Sequence, residues 1–154
     1  MKLQKKAQGA TEYLIILAIV IIIALIVVGA MGGIPGIGTG ARSRASSSFW
    51  QTADIAIPAY AVTASNDDMV LDVRNNLRNS ISSLTVTVDS DSATCSQTSL
   101  SAGQVANCTI TDVTSCAAGD AFSFAVSITY TDDETSAAYT YTGEGHNLDG
   151  KCAT

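Results

Sequence analysis

Histidine is nearly missing from this chain: His146 is the only one in 154 residues. With no second histidine and no C-x-x-C pair, the ligand spacings of structural zinc sites are not present. His146 also has no serine, cysteine or paired base arranged around it in a recognisable motif. Nothing therefore points to an enzyme, a cofactor or a metal. Basic residues are scarce in the second part of the chain. From Phe49 onward there are three (Arg74, Arg78, Lys151) against thirteen acids. Such a balance repels nucleic acid and anionic lipid, so nucleic acid is excluded as a partner. Cysteine does not occur before Cys95, and proline occurs only at positions 35 and 58.

The apolar residues are concentrated in one block. Tyr13 to Met31 is a run of 19 residues without a charge, ten of them Ile or Val. At about 1.5 Å per residue such a run predicts a helix that crosses a bilayer core of about 30 Å. β-Branched residues make a poor helix in water, but they become helical where every amide must bond internally. Lys2, Lys5 and Lys6 precede the run, so the positive-inside bias places Met1 in the cytoplasm and Phe49 onward outside. A secretory signal is the rival reading, with Val28 to Ala30 as a small-residue cleavage site, but its apolar region is usually shorter. A plain single-pass anchor explains the length and the lysines. It does not explain the polar patch Gln8 to Glu12 at the lip of the run.

That patch, in "KKAQGATEYLII", resembles the processing site of archaeal type IV prepilins, with a Gln/Glu-type class III signal peptide. The pattern has Gln at the first mature position and Glu at the fifth, here Gln8 and Glu12. Small residues stand before the cut and at the third mature position, here Ala7 and Ala10; serine is more usual at the latter, and Ile16 stands where leucine is favoured. The resemblance implies cutting between Ala7 and Gln8 by a membrane-embedded prepilin peptidase, loss of the basic stub, and a type IV pilin-like subunit. Glu12 lies one helical turn beyond Gln8, on the same face. Its carboxylate can compensate the new α-amine at Gln8, its own or a neighbour's.

"GGIPGIGTGARSR" follows. Five glycines and one proline in residues 32–40 interrupt a rigid helix. The string lacks the strand and lysine of a phosphate-binding loop, so it reads as a hinge. Residues 41–53 resume as a short helix, with Phe49 and Trp50 anchoring it to the next domain, an arrangement that again resembles archaeal pilins.

From Asp54 the periodicity becomes two. "FSFAVSITYT" reads as one strand with Phe122, Phe124, Val126, Ile128 and Tyr130 on one face. "LTVTV", "AYTYT", "VANCTI", "MVLDVR" and "IAIPAYAV" read likewise, Pro58 marking the last as an edge or bulged strand. Alternating strands joined by short polar turns predict an antiparallel β-sandwich.

Cys95, Cys108, Cys116 and Cys152 all follow the apolar run, which predicts two disulfides in an oxidising, extracytoplasmic setting. Three pairings are open; Cys95 with Cys108 across the turn "LSAGQ" would leave Cys116 to tie down the tail through Cys152. Asn107-Cys108-Thr109 is an N-glycosylation sequon. Asp132-Asp133-Glu134 reads as a solvated hairpin tip rather than a calcium site.

The expected fold class is α+β: a long N-terminal hydrophobic helix followed by an antiparallel, immunoglobulin-like β-sandwich head. The expected organisation is a cleaved leader at 1–7, a transmembrane or filament-core helix at 8–31, a hinge and short helix at 32–53, and an extracellular sandwich at 54–154. The resemblance implies a homo-oligomeric helical filament of a surface pilus, with prepilin peptidase and the assembly machinery as partners, the membrane before assembly, and adhesion as the outward role. A membrane-tethered binding module that does not polymerise, and an archaellum filament subunit, are the alternatives.

Overall fold

A computed structural model describes residues 4–30 and 39–154 and, within the first helix, the side chains of residues 9 and 11–27. It comprises two compact units, residues 1–38 and 39–154. The expected hinge glycines from 32 to 38 lie outside the described residues.

The first unit contains helix α1, Gln4–Ala30. Among the described residues no helix is long and apolar enough to cross a membrane. This corrects the expected long, membrane-crossing hydrophobic helix.

The second unit opens with helix α2, Thr39–Thr52. Ser46 and Trp50 are buried and Phe49 is half-buried, so spacings of three and four residues place one face of α2 inward. Ten strands follow: β1 (Ile55–Thr63), β2 (Asp68–Asn75), β3 (Ile81–Val88), β4 (Asp91–Ser92), β5 (Thr94–Cys95), β6 (Val105–Ile110), β7 (Ala121–Phe124), β8 (Val126–Asp132), β9 (Ala138–Tyr141) and β10 (Leu148–Lys151). They form antiparallel ladders in the orders β1-β2-β6-β5, β4-β3-β8-β9 and β10-β7. The body is thus mostly β and holds two disulfides, but its strands divide among three ladders. The β-rich body and its two disulfides are consistent with the expected antiparallel β-sandwich, although the strands are shared among three sheets.

The division has a local cause. "FSFAVSITYT" is not one strand but two, β7 and β8, paired with β10 and β3 respectively. At the break, Ala125 N–H donates to the Asp89 carboxylate (2.9 Å) and Asp89 N–H donates to the Ala125 carbonyl (2.8 Å). These bonds divert Ala125 from the ladder, while side-chain alternation continues through it. Phe122, Phe124, Val126 and Ile128 are all buried.

Elsewhere the period of two is kept. Met69, Leu71 and Val73 on β2, Val86 and Val88 on β3, and Ala106, Cys108 and Ile110 on β6 face one core, which also holds Trp50. Pro58 sits in a register shift on the edge strand β1, where its missing N–H removes no ladder bond.

Candidate assembly interface

On α1 every described side chain from 11 to 27 is exposed. Thirteen of them are large and apolar, from Tyr13 at 66% to Leu17 at 41%. They occupy nearly consecutive positions, so at about 100° per residue they surround the axis and leave no polar face. Glu12, also exposed, is the one described charged side chain on this helix. Ala7 and Gln8 lie in the first turns of α1, but their side chains are outside the described residues.

In the second unit α2 is fastened by a polar cluster that sequence reading missed. The buried Ser46 hydroxyl donates to the Asn147 carbonyl (2.8 Å) and accepts from Asp149 N–H (3.1 Å). It also lies 3.1 Å from the Tyr60 hydroxyl, which donates to the Asp149 carbonyl (2.8 Å). Burial pushes the Tyr60 phenol above its ordinary range, against the bond to Ser46. Trp50 Nε1–H donates to the same Asn147 carbonyl (3.2 Å). Its ring meets Phe49 and Tyr141 edge-on, and Phe49 stacks on His146 with centroids 4.0 Å apart. The sole histidine is therefore part of an aromatic contact. Gly143, at φ +67°, is pressed so closely on the Trp50 ring that a Cβ there would overlap it. The only sequence signal for this joint was the pair Phe49–Trp50; one serine among several carried none.

Of the three open pairings, the structure contains Cys95–Cys108 and Cys116–Cys152. The first joins paired residues on β5 and β6. The second fastens the chain just past β10, where Ala153 N–H also donates to the Val62 carbonyl (2.7 Å).

Asn107 is exposed on β6, an interior strand of its sheet, and its amide donates to Asp72 (2.9 Å). A glycan there would have to break that bond. At the β8–β9 turn, Asp132 accepts from the N–H groups of Thr135 (2.8 Å) and Glu134 (3.0 Å), and from the Asn79 amide (3.1 Å). The Thr135 backbone bond first, then Asn79, hold its carboxyl below the usual range, against partial burial. Its oxygens thus serve the turn. Among the described residues no cluster of His, Cys, Asp or Glu could hold a metal ion.

A groove runs between α2 and the β7–β10 ladder, with adjoining pockets of about 120 and 310 Å³. Phe122 forms its floor, Tyr60 and Gly150 its walls, and Arg42, Asp149 and Lys151 its polar rim. No family model and no curated protein matches the chain.

Proposed function

We propose that this chain is the structural subunit of an archaeal type IV pilus-like surface filament, assembling through α1 and exposing its β-rich body for adhesion or surface contact. The observation that carries the reading is the apolar surface of α1, exposed around its whole circumference from Tyr13 to Val27. Fully burying thirteen such side chains would contribute at most about 20–40 kcal/mol at 1.5–3 kcal/mol each. A bundle of identical helices supplies that apolar surrounding for every copy at once.

The processing motif supports the same reading. Prepilin peptidase would cut between Ala7 and Gln8, and Glu12 would face an α-amine within the bundle, because an unpaired charge there is costly. Two disulfides and an acidic body suit an extracellular surface.

The N-terminus of the mature protein, read by mass spectrometry, tests the proposal together with electron micrographs of producing cells. A start at Gln8 and filaments containing the chain are expected. An intact Met1, or a start near Met31, would overturn it. A protein that begins at Gln8 but stays monomeric would instead be a non-polymerising binding module. Glu12→Ala should leave cutting largely intact and impair assembly; normal filaments from that variant would refute the charge-compensation argument.

A further inference from the structure

The groove over Phe122 brings together two of the unit's few basic side chains. The body is strongly acidic, yet Arg42 and Lys151 both stand on the rim of this depression. Both side chains are exposed, and among the described residues neither is engaged in an ion pair. One acid, Asp149, lines the groove with them. The floor is apolar because residue 150 is glycine: a Cβ there would overlap the Phe122 ring. The groove therefore offers a narrow apolar floor with one cation on each of its two adjoining pockets, neither in an ion pair among the described residues.

The same unit carries a complementary feature. The β8–β9 turn presents Asp133 and Glu134, both exposed. Asp132 fixes this turn by accepting from two of its backbone N–H groups, and Ser82 donates to Asp133. The Glu134 carboxylate has no partner among the described residues. Identical acidic bodies held side by side repel one another unless some contacts bring opposite charges together.

We infer that the groove receives the Asp133–Glu134 turn of a second copy of this chain, with Arg42 and Lys151 facing the two carboxylates. The contact is head-to-tail, since groove and turn are different surfaces, and contacts of that kind propagate into open helical assemblies. The inference rests on the filament reading for its setting and names the surfaces by which neighbouring bodies meet.

The chain provides a convenient probe, because Lys151 is its only lysine beyond Lys6. Isotopically labelled and unlabelled full-length protein would be mixed under assembly conditions and treated with a zero-length carbodiimide. This reagent joins a carboxylate and an amine as an amide, the elements of water lost in the condensation converting the carbodiimide to a urea. Peptide mass spectrometry should find Lys151 joined to Asp133 or Glu134 in mixed-label pairs. The yield should fall several-fold in about 0.5 M salt, where the screening length shrinks to a few ångströms. Lys151→Glu should weaken self-association by about tenfold or more, and adding Glu134→Lys should restore it. Trp50 fluorescence would verify that each variant is folded.

Lys151 joined only to acids of its own chain, or an unrescued Lys151→Glu variant, would overturn the inference. Micrographs of the same samples score the filament reading separately. Filaments without the mixed-label pair would reject the groove contact alone, whereas the pair without filaments would keep the contact and reject the filament.

Discussion

Ser46→Ala would remove one oxygen from the interior of the joint between α2 and β10, and its cost follows from which groups lose a partner. The Asn147 carbonyl keeps the Trp50 indole N–H, and Tyr60 keeps the Asp149 carbonyl. The Asp149 N–H loses its acceptor at 3.1 Å. A buried donor left without a partner costs about 1–3 kcal/mol, and for this half-buried N–H the lower end, about 1 kcal/mol, is expected, a noticeable share of a total stability of about 5–15 kcal/mol. Tyr60→Phe takes the donor from the Asp149 carbonyl and should cost about 1 kcal/mol. Both hydroxyls serve Asp149, so the double variant should depart from additivity by about 0.5 kcal/mol or more. Urea unfolding of the full chain in detergent, followed by the fluorescence of the single, fully buried Trp50, measures all three. The midpoint should move with the slope unchanged. A Ser46→Ala loss under about 0.5 kcal/mol, with strictly additive doubles, would show that the cluster does not hold α2.

Gly143→Ala imposes a left-handed conformation on a residue with a Cβ and drives that Cβ into Trp50, which together should cost about 2–4 kcal/mol; an unchanged Tm would refute it. Replacing Cys116 and Cys152 by serine opens a loop of 36 residues and should cost about 4 kcal/mol, against about 3 for Cys95 and Cys108, separated by 13. Thermal unfolding of the two double variants should show that order. The Asp132 carboxyl is held below its unfolded value, so its stabilisation is complete above about pH 4 and is lost as pH falls through the lowered value. The stability gap between wild type and Asp132→Asn should therefore close on acidification, and a gap constant from pH 7 to pH 2 would contradict the hydrogen-bond account.

Much of this molecule is legible in local pattern, because local pattern is what periodicity records. The alternation in "MVLDVR" and "VANCTI" selects the residues that β2 and β6 bury, and the charge-free run after Glu12 marks a helix with no polar face. Pro58 announces its edge-strand bulge through the N–H it lacks.

Other features depend on partners far away in the chain. An alternating run such as 122–131 looks the same whether one strand or two is formed. What divides it is Asp89, more than thirty residues earlier. Strand β10, "LDGK", carries almost no strand signal and exists because β7 pairs with it and Cys152 is fastened beyond it. Three cysteine pairings fit the spacing equally, and only the meeting of β5 with β6 and of residue 116 with the tail selects one. Ser46, Tyr60 and Asp149 are unremarkable in sequence and lie up to 103 residues apart, yet they form one hydrogen-bonded joint. The sequence by itself determined which side chains must leave water. The tertiary structure decided which backbone groups, cysteines and charges they would find there, since those choices depend on distances that the order of residues does not contain.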